Sequence, residues 1–228
     1  MNYFDGAEEL FQQRSNEINK FINQCKLIQD QQFMTPNEKR EFTRVVKSNV
    51  VLMQYNLIES VFLELFVEFY QILKNSKLGI DDLSSRFFYN LLLLIRRMPD
   101  KNLKIIQDSI DNSSSSDIRL SNLILKAGFE LTEEEKKFLV NGNLDGRKVK
   151  EFLQDWGFDI HAIDSLDVSC LRTLKDQRQL LAHGGNSFSD QGRSITWENI
   201  DSYKQAIDKL FIATKKLLTD FFLDNSIL

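Results

Sequence analysis

Apolar side chains recur at helical spacing along most of this chain. From about Ala7 to Asp30, Leu10, Phe11, Ile18, Phe21, Ile22 and Leu27 return every three or four positions, which predicts a first helix. Thr35-Pro36 is a start signal, with Thr as N-cap and Pro at the first helical position, and Glu38 sits in the first turn where the helix dipole favours an acid. No Gly or Pro follows until beyond Ser76, so a long second helix is predicted. Its middle, Val50 to Phe62, is apolar on most sides and reads as central and buried.

A third helix is predicted from Asp82 to Met98, stopped near Pro99. The serine-rich patch Asp111–Asp117 reads as an exposed loop. The middle section predicts short elements: a capping box at Thr132–Glu135, a turn at Gly142–Gly146, and a short helix from Arg147 to Trp156 ended by Gly157. Two long helices close the chain, Leu166 to His183 and Trp197 to Phe222, separated by Gly184-Gly185 and a polar loop running to Ser194. There is no internal repeat. The fold class expected is all-α: a bundle of long helices with a middle section of short helices and loops, read as one domain over 1–228, in which about 100–160 can be an inserted or variable region.

Composition agrees with this pattern. Nine Gly and two Pro in 228 residues are few, and 42% hydrophobic with 27% charged is ordinary for a globular chain. The net charge of −4 argues against coating nucleic acid by bulk electrostatics, but leaves room for a local Arg/Lys cluster that grips a few phosphates. Cys25 and Cys170 are far apart with no CxxC spacing, which fits a reducing cytosol. The opening residues lack a basic, then apolar, leader, and Leu91–Ile95 is too short to cross a bilayer. A cytoplasmic protein without a membrane partner is expected. No P-loop, GxGxxG, HExxH or paired-carboxylate motif is present, and no cofactor or metal is expected.

The sharpest anomaly lies in the helix ending at His183. Leu171, Leu174, Leu181 and Ala182 fall on one face, the expected core stripe, and Arg178 falls in the middle of it. An arginine there must be paired or line a cleft; an arginine snorkelling at the bundle rim is an equal reading. His183 stands at the negative end of the helix dipole, where a protonated imidazole is favoured. It is either a simple cap or a general acid–base. Arg178 and His183 are five positions apart, about 140° around an ideal helix, so one straight helix does not aim both at one phosphate. A two-fold dimer apposing two copies of the helix would build a composite cleft.

The segment Leu174–Gly184, with Arg178 and His183, resembles the Arg-x(4–6)-His motif of the HEPN superfamily. Gly142–Arg147, Trp156-Gly157-Phe158, Leu181–Gly184, Ser187-Phe188, Tyr55–Ser60 and Phe11–Arg14 are similar, in order, to the MAE-like bacterial HEPN proteins. That resemblance implies a helical bundle dimerising around the motif. It also implies a metal-independent endoribonuclease, in which the RNA 2′-hydroxyl attacks the adjacent phosphate. His183 would move the proton and Arg178 would stabilise charge on the phosphoryl oxygens. A toxin–antitoxin or phage-defence setting, with a cognate antitoxin protein as partner, follows from the resemblance alone. Gln179 departs from the family, which usually has Asn or another small polar residue after the arginine.

Weaker candidates surround this pair. Asn49, Asn56, Glu59 and Ser60 form a polar strip on the second helix, read either as groups orienting Arg178, with Glu59 as counter-ion, or as internal hydrogen bonds. Asn186 and Arg193, in the loop after the motif, are candidate RNA contacts. Arg96 and Arg97 are further phosphate candidates, and His161 reads as structural. The alternatives to a nuclease are a non-catalytic HEPN module binding nucleotide, RNA or a partner protein, and a helical scaffold in which Arg178 merely ties a dimer together.

Overall fold

The computed structural model describes residues 3–30, 33–75 and 143–224. The expected helix at Asp82–Met98, the Asp111–Asp117 loop, the Thr132–Glu135 capping box, and Arg96 and Arg97 lie outside the described residues. Among those described there are helices and no strands: α1 (Asp5–Gln29), α2 (Pro36–Asn75), α3 (Gly146–Asp155), α4 (His161–Asp164), α5 (Cys170–Ala182), α6 (Phe188–Ser194) and α7 (Trp197–Asp224).

The 40-residue α2 is the axis of the bundle. It starts where Thr35 and Glu38 close a reciprocal box: the Glu38 carboxylate accepts from Thr35 N–H at 2.7 Å, and Thr35 Oγ1 accepts from Glu38 N–H at 3.3 Å. Its apolar residues have nowhere to go but inward on several sides. Val50, Val51, Leu57, Val61, Phe62, Leu65, Phe66 and Phe69 are fully buried, because α1, α5, α6 and α7 all pack against it. By length and composition α2 could also cross a membrane, but 61% of its most apolar window is already buried inside the structure. The apolarity is used up by packing within the bundle.

Aromatic rings bind the short elements to this axis. Phe66 of α2 stacks on Phe152 of α3 at 3.9 Å, and Tyr70 meets Trp156 edge-on at 5.6 Å. Helix α3 ends in a Schellman turn, with Gly157 at φ 82° and Phe158 N–H donating to Leu153 O at 3.0 Å. Phe158 then packs on Phe69 and Phe221, tying the turn to α2 and α7. On the same stretch of α2, the Glu68 carboxylate takes the Gly6 and Ala7 N–H groups at 2.9 and 3.0 Å, capping the start of α1.

Two expectations need correction. The predicted helix from Leu166 begins only at Cys170. The Asp167 carboxylate takes both the N–H and the hydroxyl of Ser169, at 3.2 and 2.8 Å, and this local turn competes with helix. The stretch up to Ser194 is not all loop: Phe188–Ser194 is helix α6. Ser187 caps it by accepting from Asp190 N–H at 3.0 Å, and Gly192 lets it lie directly on the backbone of α2 at Arg44.

Candidate functional site

Helix α5 carries the Arg178–His183 pair and is held on more than one side. Leu171, Leu174 and Leu181 are buried in the core, whereas Ala182, expected on the same stripe, is exposed. It is the last residue of α5, beside the exposed His183. On another side the residues just before α3 grip α5. Gln179 Nε2 donates to Asn143 Oδ1 at 2.8 Å, and Lys175 Nζ donates to the Asp145 carboxylate at 2.8 Å. Asp145 also caps α3 by accepting from Lys148 N–H at 3.0 Å. With its side chain 3% exposed, Asp145 would be pushed up by burial. The hydrogen bonds from Lys175 and Lys148, and the Lys175 and Arg147 charges, outweigh this and hold it below the usual carboxylate range.

Arg178 is half-buried, and its guanidinium carbon lies 5.0 Å from the centre of the fully buried Tyr55 ring on α2. This is a cation–π contact in a largely dry environment. One turn along α2, Glu59 is also half-buried. Burial raises its carboxyl above the ordinary value, while Tyr55 and the Arg178 charge pull it back. Burial and Glu59 together drive the Tyr55 hydroxyl far up, against the smaller opposing effects of Arg178 and the Leu144 backbone. Arg178 and Glu59 thus influence each other through space without forming a salt bridge. Neither the Tyr55 hydroxyl nor Glu59 Oε1 makes a hydrogen bond of good geometry, although both are buried.

His183 is exposed and ends α5. Its N–H donates to Gln179 O at 3.0 Å. Gly184 then turns left-handed, at φ 68°, and the N–H groups of Gly184 and Gly185 return to Leu181 O at 3.4 Å and Leu180 O at 3.1 Å. This Schellman turn makes His183 the last residue before the chain leaves the helix.

The structure therefore brings Arg178 and Glu59 into one neighbourhood around Tyr55, ties Gln179 to Asn143, and sets His183 at the solvent-facing end of the same helix. The other candidates are engaged differently. Asn56 is exposed on α2. Asn49 and Ser60 return to carbonyls of their own helix, Val45 at 2.8 Å and Leu57 at 3.2 Å. Asn186 donates to Gln191 Oε1 at 2.9 Å, and Arg193 lies at the surface, 3.5 Å from Asp190. His161 is an exposed residue at the start of α4, 3.9 Å from Asp159. Sequence reasoning missed Tyr55, Asn143, Asp145 and Lys175. A signal was present for part of this: Lys175, Arg178 and Gln179 share a face at i, i+3 and i+4, which asked for a polar partner outside α5.

An all-α bundle around a long apolar helix, with an arginine and a histidine closing one of its shorter helices, defines the class of fold. The HEPN_MAE_28990/-like HEPN family model matches residues 7–221, and the chain belongs to that family. No curated protein and no solved structure matches it.

Proposed function

We propose that this HEPN domain is an endoribonuclease that cuts RNA without a metal ion, with Arg178 and His183 as its working residues. The observation that carries the reading is the different treatment of the two side chains on one helix. Arg178 is held half-buried against Tyr55, while His183 is left exposed at a helix end fixed by a glycine turn. In the reaction, the RNA 2′-oxygen attacks the adjacent phosphorus. The P–O2′ bond forms as the P–O5′ bond breaks, leaving a 2′,3′-cyclic phosphate and a 5′-hydroxyl. His183 takes the proton from the 2′-hydroxyl and returns one to the departing 5′-oxygen. Arg178 stabilises charge on the non-bridging oxygens; contact through the ring face uses its charge but leaves its N–H donors for a phosphate.

Because the two side chains diverge by about 140° on an ideal helix, the active unit is a homodimer that apposes two copies of α5. Exposed Leu180, about 60° from His183 on an ideal helix, would add an apolar contact on the histidine side of that interface. The free thiols of Cys25 and Cys170 agree with work in the cytoplasm. The setting proposed is that of a toxin or phage-defence effector with a protein antitoxin.

The test is cleavage of RNA in EDTA by wild type, His183→Ala and Arg178→Ala. Wild type is expected to cut, leaving cyclic phosphate ends, and both variants to stay folded and fall silent. Unchanged cleavage by His183→Ala refutes the mechanism, and a strict monomer in light scattering removes the composite cleft. One observation favours a second reading, a non-catalytic HEPN module: Arg178 is already occupied by Tyr55 and the Glu59 charge. Tight RNA binding by a wild type that never cleaves is the result that selects it.

A further inference from the structure

We propose that Tyr55 is the positioning residue of the site: its ring is the platform that holds the Arg178 guanidinium where a phosphate can reach it. The inference rests on the ribonuclease reading for its kinetic consequences, but its structural content is independent of that reading. Tyr55 is wholly buried, and its ring centre lies 5.0 Å from the guanidinium carbon. A long, flexible cation beside an apolar core would ordinarily extend toward water. Here it meets the negative face of an aromatic ring, and the Glu59 charge pulls on it from the next turn of α2. No direct ion pair holds it, so the ring is what defines its place.

The hydroxyl interacts chiefly with the Glu59 carboxyl and not with the guanidinium. It is buried without a well-formed hydrogen bond, and the contact runs through the π face. Removing the oxygen should leave the site intact, whereas weakening the ring's quadrupole should damage it even though the volume stays nearly the same. Residues that merely fill the core behave otherwise, because for them shape is what counts.

The experiment uses the full chain. Tyr55→Phe, versions with trifluoro- and pentafluorophenylalanine at position 55, and Tyr55→Leu are compared with wild type in two measurements. The first is the Arg178 Nε–H resonance in NMR without RNA. The ring current should displace it in wild type and Tyr55→Phe, and Tyr55→Leu should return it to the ordinary arginine position. The second is RNA cleavage kinetics. Tyr55→Phe should keep wild-type kcat, and kcat should fall stepwise with fluorination, by roughly 10- to 100-fold at the end of the series, with KM little changed. Full activity in the pentafluoro protein overturns the proposal, as does a Tyr55→Phe protein as slow as the pentafluoro one. Should Tyr55→Leu fail to fold, the isosteric fluorinated series still decides. A wild type that cleaves no RNA defeats the ribonuclease reading alone; an undisplaced Arg178 resonance defeats the platform alone.

Discussion

Replacing Gly192 with alanine sets two effects of opposite sign against each other. Alanine is the better helix former by about 1 kcal/mol, so on an open helix face the change would stabilise. On α6 the new Cβ would stand 2.0 Å from Arg44 O, 2.5 Å from Arg44 C and 2.7 Å from Arg44 Cα. All three atoms are backbone of α2, which cannot step aside because Val46, Ser48 and Val50 beside it are buried. Ordinary contact begins near 3.5 Å, so α6 must withdraw by roughly 1.5 Å. That stretches the bond from Ser48 Oγ to Phe188 O, now 2.7 Å, and disturbs the one from Lys47 Nζ to Ile195 O. Two such bonds are worth about 1 kcal/mol each, and overpacking adds about 1–3 kcal/mol. After the propensity gain, the net loss is roughly 2–4 kcal/mol, a fall in Tm of roughly 5–15 °C for a chain of this size. Thermal and urea unfolding, followed by circular dichroism, measure it. Gly185→Ala is the control, since its Cβ would meet nothing closer than Leu180 O at 3.6 Å. A Gly192→Ala protein as stable as wild type refutes the packing argument, and so does an equal loss in the control.

Four further outcomes are expected. Asp145→Ala strands the 14%-exposed Lys175 amine and uncaps α3, so unfolding should come earlier by about 3–5 kcal/mol. Because the folded Asp145 carboxyl titrates below its ordinary value, its stabilisation is complete above about pH 3.9 and fades as pH falls below that. The Tm of wild type should therefore drop more steeply between about pH 4 and pH 3 than that of Asp145→Asn; parallel curves would contradict the assignment. Glu59 has the opposite sign: its folded carboxyl is raised, so stability declines as pH climbs through the carboxylate range. Glu59→Gln should raise Tm at neutral pH and lose that advantage below about pH 4, whereas a lower neutral Tm would mean that Arg178 outweighs burial. Finally, Gly184 has φ 68° with nothing within 4 Å of its would-be Cβ, so the cost of Gly184→Ala is conformational only. It should be about 1–2 kcal/mol, with Gly184→Asn milder; equal losses for the two would point to an unseen steric contact.

Much of the fold is legible where the signal is local. Thr35-Pro36 starts α2, Gly157 stops α3, and Gly184 stops α5 within a residue of expectation, because caps and left-handed turns act over four or five positions. Helix α6 is hidden for the opposite reason. Seven mostly polar residues carry no apolar period, and what holds them helical is a glycine contact and a hydrogen bond to α2, 140 positions away. The same distinction runs through the site. That Arg178 needs a partner, a cleft or the bundle rim follows from its place on the apolar stripe of α5. Which partner it finds does not, because Tyr55 reads as one more core aromatic until α5 is laid across α2. Glu59 was reachable as a counter-charge since it breaks the apolar face of α2, but it acts through space and not as an ion pair.

The glycine turn after His183 turns α5 into a ruler. One end of the scale is pinned by Asp145 at Lys175 and by Asn143 at Gln179, and the other is cut off by Gly184. Between these marks the height and bearing of the imidazole relative to the guanidinium are set by residue count: about 1.5 Å and 100° for each residue added or removed. A chain lengthened by one alanine after Ala182 would keep every group of the site yet swing the histidine more than a quarter of the way around the helix. Sequence distance at this place is spatial bearing, and selection on the gap between the two residues is selection on an angle.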